Sequence, residues 1–306
     1  MKAIVYRQYG GPEVLELAEV SEPKVAQNSV LIQVKAAALN PADSVLQAGL
    51  GDSIMDAWFP VIPGWDVAGV VERVGPGVTE FAAGNEVIGF IREEILHHGT
   101  YAERVSVPVS TLVRKPNNAT WAQAAGLPLA GLTAYQAIVH SLNVKKGETL
   151  LIHGASGGVG SLAAQIAVAF GARVIGSGSA PTHGYLRTIG VEPVLYGERL
   201  VSEVRSLVPN GVDTIFHCGG KGVLALNAQL GGPVFRTCSV VESAHGVTTI
   251  FARMDQADLL RLVELVEAGL LTVPVASKYP LEAAAKAQSA LLVGGKGPGK
   301  IVLELG

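Results

Sequence analysis

Charge is scarce in this 306-residue chain. Asp, Glu, Lys and Arg make up 16% of positions, against about 25% in an ordinary globular domain. The formal net charge is −3, which gives no overall basic face for nucleic acid and too little self-repulsion for a disordered chain. Cysteine is nearly absent. Cys218 and Cys238 are the only two, and they form no CxxC pair, so they read as reduced core residues of a cytoplasmic protein. Clean apolar runs are missing as well. Stretches 116–144 and 149–172 carry no charged residue, but Asn117, Asn118, Gln123, Pro128 and Gln136 break the first and a glycine cluster breaks the second. Neither is the unbroken span of about 20 apolar residues that a bilayer needs. Met1–Arg7 meets a second charge before an apolar segment forms, so no export signal is expected. No membrane or nucleic-acid partner is expected.

What the chain does have is glycine, 37 residues, and 49% hydrophobic positions. The glycines do not recur every third residue, which excludes collagen. The apolar content supports a large core, and the length suggests about two domains. The first 120 or so residues read as short strands punctuated by Gly10-Gly11-Pro12, Asn40-Pro41, Pro63-Gly64 and Gly75-Pro76-Gly77. Strands at such spacing predict a barrel or sandwich. Thr120 is a helix cap for Trp121–Leu127, which leads into 131–141. From Thr149 buried strands alternate with helices: strand 149–153, helix 159–170, strand 173–176, helix 184–189, then strands 193–195, 212–216 and 234–238. Continuous apolar strands between helices predict a parallel sheet covered on both faces. Helices 255–268 and 281–291 and a last strand, 300–305, complete the chain. The fold class is α/β.

His153-Gly154-Ala155-Ser156-Gly157-Gly158-Val159-Gly160 follows a strand and opens a helix. Ala155, Gly157 and Gly160 occupy the three positions of G-x-G-x-x-G, with Ala in the first. Gly157 lets the backbone approach a pyrophosphate, Gly160 lets helix and strand pack closely, and Ser156, Gly158 and Val159 lie where free helix-start N–H groups bind phosphate. The alternative is a tight turn that binds nothing. An NAD site places Asp or Glu about 20 residues further on, yet no Asp or Glu occurs between Gly160 and Val191, and the second strand ends in Gly176-Ser177-Gly178-Ser179. Small hydroxylated residues admit a 2′-phosphate that a carboxylate would repel, which favours NADPH. His183 and Arg187 are the nearest cations, and Tyr196 borders the adenosine end; each is otherwise an ordinary surface residue.

Five motifs occur in order: Asn40-Pro41-Ala42-Asp43; Pro63-Gly64-Trp65-Asp66-Val67-Ala68-Gly69; Gly99-Thr100-Tyr101-Ala102-Glu103; Leu127-Pro128-Leu129-Ala130-Gly131-Leu132-Thr133-Ala134; and the glycine turn. Together they resemble the zinc-independent quinone oxidoreductase (zeta-crystallin-like) branch of the medium-chain dehydrogenase/reductases over nearly the whole chain. The resemblance implies a GroES-like β-rich catalytic domain, 1–121 completed by 271–306, and a Rossmann NADPH-binding domain, a doubly wound parallel sheet, at 122–270. It implies NADPH-dependent reduction of quinones or α,β-unsaturated carbonyls. The zinc-dependent relatives place Cys near Asp43 and Gly-His-Glu where this chain has Gly64-Trp65-Asp66. Zinc prefers Cys and His, so no metal is expected. His97-His98 reads as a polar loop. No Tyr-x-x-x-Lys pair occurs, which weakens the short-chain reductase alternative.

Hydride transfer needs no protein nucleophile; the cofactor supplies the reductant and the protein supplies position and electrostatics. The resemblance puts Asn40 beside the nicotinamide as the catalytic residue, its amide stabilising charge on the carbonyl oxygen, and Thr133 near the nicotinamide ribose. Asn40-Pro41 is equally a good turn. Asp43 reads as fixing that loop. Ser239 and Phe251-Ala252-Arg253 are expected on the nicotinamide side. Relatives often carry Tyr and Arg where this chain has Val45 and Gln47. With Asn40, Val45 and Gln47 lining it, the substrate pocket should be apolar and roomy. Its proton should come from water, and its substrate should not be a simple benzoquinone. Segment 246–251 has strand character and, by the same resemblance, pairs two copies into a homodimer. A non-catalytic NADPH-binding protein of this fold, or an enoyl reductase of a biosynthetic pathway, remains open.

Overall fold

The computed structural model describes residues 1–220, 222–294 and 297–306. Nine strands fill the first 114 residues: β1 (Lys2–Val5), β2 (Glu16–Glu19), β3 (Ser29–Ala38), β4 (Asp56–Ile62), β5 (Asp66–Val74), β6 (Glu86–Phe90), β7 (Ile95–His98), β8 (Arg104–Pro108) and β9 (Leu112–Arg114). The ten-residue β3 is the spine. It pairs antiparallel with β5 and β8, and β5 carries β6 and then β9. β1 pairs with β2, and β4 with β7, as small separate sheets. Leaving β3, the chain enters α1 (Pro41–Gln47). Pro41 takes the first helical position, where its missing N–H costs nothing. The Asp43 carboxylate accepts the Asn40 backbone N–H at 2.8 Å. Asn40-Pro41-Ala42-Asp43 is therefore a helix start.

α2 (Trp121–Ala125) is capped by the Thr120 hydroxyl, which accepts the Gln123 N–H. The alanines Ala122, Ala124 and Ala125 are buried, and their small side chains let α2 lie directly on β3 and β5. The expected boundary at 121 to 122 falls at the start of α2. α3 (Pro128–Tyr135) follows and continues as a π-helical stretch, Gln136–Ser141. Beyond it lie β10 (Thr149–His153), α4 (Gly158–Ala169), β11 (Arg173–Gly178), α5 (His183–Thr188), β12 (Val191–Leu195), α6 (Leu200–Leu207), β13 (Val212–His217), α7 (Asn227–Leu230), β14 (Gly231–Ser239) and β15 (Thr248–Thr249). The six strands are parallel, in the order β12-β11-β10-β13-β14-β15. This is the doubly wound arrangement, with its ligand crevice at the carboxyl ends of the strands where the order reverses. The register sets His153, Ser177, His217 and Ser239 in one row at that edge. α4 is buried on nearly every side from Gly160 to Ala167, as its charge-free sequence requires.

The chain returns through α8 (Gln256–Glu267), β16 (Val275–Pro280), α9 (Ala284–Val293) and β17 (Lys300–Glu304). β17 pairs antiparallel with the end of β3, Val302 opposite Ala38, and β16 lies outside it. Both ends of the chain thus build the β-rich half. One apolar core crosses the junction: Ala36, Ala38, Ala68 and Phe90 meet Leu127 and Leu132, which meet Leu150, Ile152 and Leu162. The architecture is the expected GroES-like half joined to a Rossmann half.

Gly160 holds α4 against the glycine turn: a Cβ there would lie 2.2 Å from the Gly154 carbonyl oxygen. Gly160→Ala is expected to cost about 1–3 kcal/mol by overpacking against rigid backbone. Gly184 in α5 has nothing within 4 Å of such a Cβ, and Gly184→Ala is expected to gain roughly 0.5–1 kcal/mol. Urea unfolding of the two variants checks the contrast.

Candidate functional site

The turn between β10 and α4 is built by Gly154, not by Ala155. Gly154 has φ +80°, a backbone region open to glycine, and a Cβ on it would meet Gly219 at 2.8 Å. Ala155 is fully buried, and its N–H donates to the Ser177 carbonyl at 3.1 Å, so it supports the turn from below and offers a phosphate nothing. At Gly157, the middle position of the glycine motif, a Cβ would meet nothing closer than 3.4 Å. The first backbone bond of α4 runs from the Ser161 N–H to the Gly157 carbonyl. The N–H groups of Gly158, Val159 and Gly160 precede it and are the helix-start donors that bind phosphate. A dinucleotide pyrophosphate fits this cradle, and Ser156 lies at its rim. Ser177 ties strand to turn, its hydroxyl accepting the Gly154 N–H at 3.3 Å.

Beyond β11, Ser179, Ala180, Leu195, Tyr196, Glu198 and Arg199 line an open groove of ≈ 390 Å³. Ser179 and Tyr196, two of the expected residues, are in this groove. Arg187 is not: it is exposed on α5 and does not line this groove. The groove's cation is Arg199, which lies 3.7 Å from Glu203. It caps α6, an eight-residue helix without a side-chain cap, so no start signal marked it in the sequence.

At the other end of the turn a buried polar cluster joins three distant segments. Asn40 is 2% exposed and Asp66 fully buried. The Asn40 amide donates to Asp66 Oδ2 at 2.9 Å and, weakly, to the Ala38 carbonyl at 3.4 Å. Lys300 Nζ donates to Asn40 Oδ1 and stands 3.7 Å from Asp66 Oδ2. Asp66 Oδ1 accepts the Leu129 N–H at 2.7 Å, which caps α3 from outside, where Leu127 has no side-chain oxygen to do it. One turn along α3, the Thr133 hydroxyl donates to the Leu129 carbonyl at 2.7 Å. The Asp43 carboxylate accepts from both the Asn40 N–H and, at 2.9 Å, the Tyr101 hydroxyl. The cluster meets the glycine turn directly: the Gly299 N–H donates to the Ser156 carbonyl at 3.0 Å, and the Lys300 stem lies against Gly158.

Two family models match the chain, an alcohol dehydrogenase GroES-like domain at residues 26–117 and a zinc-binding dehydrogenase at 158–230. Human quinone oxidoreductase is 30% identical over 100% of this chain and 98% of its own length. NADPH-dependent alkenal/one oxidoreductase from Arabidopsis thaliana is 36% identical over 77% of this chain and 65% of its own. The chain belongs to the medium-chain dehydrogenase/reductase superfamily, in its quinone oxidoreductase branch. Among solved structures, an NAD-dependent alcohol dehydrogenase is 32% identical with TM-score 0.91, both chains fully covered. The quinone oxidoreductase of Coxiella burnetii is 29% identical with TM-score 0.86, covering 100% and 99%. A mycobacterial protein complexed with NADPH is 27% identical with TM-score 0.85, both chains fully covered.

Within this reductase fold, the remaining expected site residues separate. Val45 is 45% exposed on α1. Gln47 on the same helix is buried, its amide donating to the Gly11 carbonyl at 2.6 Å and to Gln288 Oε1 at 3.1 Å. This side chain ties α1 to α9, and its amide is committed to those partners. Ser239 is fully buried and its hydroxyl accepts the Val241 and Glu242 N–H groups, so it caps the loop after β14. Phe251 is 80% exposed. Trp65 packs edge-to-face on Phe90, ring centroids 6.0 Å apart. It lines a cavity of ≈ 20 Å³ with Asp43, Leu46, Ile91 and His98, large enough for one water. Among the described residues no group of three His, Cys, Asp or Glu side chains is placed to hold a metal ion. Asp66, Lys300 and Arg199 are the polar residues that motif reading left without a role.

Burial pushes the Asp43 carboxyl up to about 7; the Asn40 and Tyr101 hydrogen bonds and the Lys300 charge pull the other way, and the Asp66 charge adds to the rise. A raised carboxyl favours the folded state only while protonated. Its contribution is complete at acid pH and is lost as pH climbs through about 7. Asp43→Asn keeps an acceptor for Tyr101 and removes the titration. The thermal midpoint of the wild type should therefore fall relative to Asp43→Asn between about pH 5 and about pH 8; parallel curves would show that Asp43 does not titrate there.

Proposed function

We propose that this oxidoreductase transfers hydride from NADPH to a bulky α,β-unsaturated carbonyl, with quinones as the secondary substrate class. The observation that carries the reading is the contact between phosphate cradle and amide cluster. Gly157–Gly160 would hold the dinucleotide's phosphates, and the Lys300 stem, packed on Gly158, joins that cradle to the Asn40 cluster. When bound, the cofactor supplies the hydride. The chain's own part is to hold the ribose near Thr133 and to direct the loosely held second amide hydrogen of Asn40 at the substrate carbonyl oxygen, where negative charge develops. The proton comes from water. Val45, Leu50, Ile54 and Trp58 expose apolar surface around the end of α1, which suits an apolar substrate. With NADPH, wild-type turnover should be higher for a bulky enone than for a plain benzoquinone. Asn40→Ala should lower kcat by about 100-fold while changing NADPH affinity far less. Tight NADPH binding with no turnover across the panel would return the non-catalytic reading.

NADPH is favoured over NADH by the absence of an acid after β11 and by Ser179 and Arg199 in the adenosine groove. Arg199 pairs well with a 2′-phosphate, although Glu198 in the same groove would repel it. Arg199→Ala should weaken NADPH about tenfold, or about 1.4 kcal/mol, and leave NADH unchanged; equal effects on both would remove the preference. We also read the chain as a cytoplasmic homodimer. Cys218 and Cys238 are free thiols, and no helix among the described residues is long and apolar enough to cross a membrane. β15 forms an open sheet edge beside the exposed Phe251, surface that a second copy would cover. Light scattering should give about twice 31.7 kDa; a monomer mass rejects the dimer.

A further inference from the structure

We propose that Lys300 is a positioning residue, whose ammonium fixes which end of the Asn40 carboxamide faces the substrate. The inference rests on the reductase reading of Asn40. A carboxamide has two nearly isosteric ends, one accepting and one donating, and only the donating end can stabilise an oxyanion. An unrestrained Asn40 would present either. Here its neighbours carry opposite chemistry. Lys300 Nζ can only donate and sits on Oδ1; the ionised Asp66 carboxylate can only accept and sits 2.9 Å from Nδ2. Turning the amide over would set its NH₂ against an ammonium and its oxygen against a carboxylate, in a cluster from which water is excluded and such contacts are costly. Locked this way, one amide hydrogen belongs to Asp66 and the other, only weakly claimed by the Ala38 carbonyl at 3.4 Å, is left for the ligand. Burial pushes the Asp66 carboxyl up and the Lys300 ammonium down, and the charge of each opposes the other's shift.

Lys300→Met in the full chain removes the charge and keeps a stem of similar length over Gly158. Lys300→Met with Asp66→Asn leaves no unpaired buried charge and serves where the single variant does not fold. With NADPH affinity, read by fluorescence titration, within about threefold of wild type, kcat should fall about 10- to 100-fold, the scale set by misplacing a catalytic group. Lys300→Arg, which keeps a charged donor, should recover part of that loss. A second readout needs no turnover. The Asn40 side-chain NH₂ resonances, identified by their absence in Asn40→Asp, should exchange slowly with solvent in the wild type and rapidly once the ammonium is gone. Unchanged exchange in the Lys300 variant overturns the proposal whatever kcat does, as does a loss of NADPH affinity matching the loss of kcat. A wild-type protein that reduces no enone would refute the reductase reading alone, since the exchange measurement still tests the lock.

Discussion

Everything at the junction of the two halves depends on a single buried carboxylate. Asp66, at the start of β5, has no contact with solvent, and a buried ion is tolerated only where partners replace its water. Its partners come from three places: the Asn40 amide at the end of β3, the Lys300 ammonium at the start of β17, and the Leu129 N–H in the first turn of α3. Satisfying this one group fixes the strand end that leads into Asn40, the last strand of the chain and the helix carrying Thr133. The Asp43–Tyr101 hydrogen bond extends the same network to the loop that precedes β8.

The unusual composition acquires a physical purpose in this arrangement. Alanines on β3 and β5 and the alanines of α2 let a helix lie close on the sheet, so the antiparallel strands and the parallel sheet share one core. Glycine does the equivalent at the cofactor turn, where Gly154 bends the backbone and Gly160 admits the helix. Low charge follows from the same economy. A chain whose central helix is buried all round has few places for an ion, and the fully buried Asp66 stands against Lys300.

Much of the site was legible because its signals are local. The strand–turn–helix around Gly157 and Gly160 and the absent acid after β11 are each confined to a short stretch of sequence, whereas Asn40-Pro41, which reads as a turn, starts helix α1. What was missed is non-local or weakly marked. Ala155 was matched to a glycine position by spacing, whereas the positive φ falls on Gly154. Arg187 was the nearest cation in sequence, but the chain turns outward along α5 and brings Arg199 into the groove instead. Gln47 sits in the right motif yet spends its amide on Gly11 and Gln288, the latter 241 positions away.

The sequence alone determined the fold and the family, because hydrophobic periodicity, turn residues and the order of five motifs are all written along the chain. It determined where β10 turns into α4, since a glycine turn between strand and helix is marked within a few residues. Only the tertiary structure decided which polar groups are free to act. Whether a hydroxyl, an amide or a guanidinium can reach a ligand depends on what other segments have already claimed from it. For Asn40, Asp66 and Lys300 those claims are made across as many as 260 positions of chain.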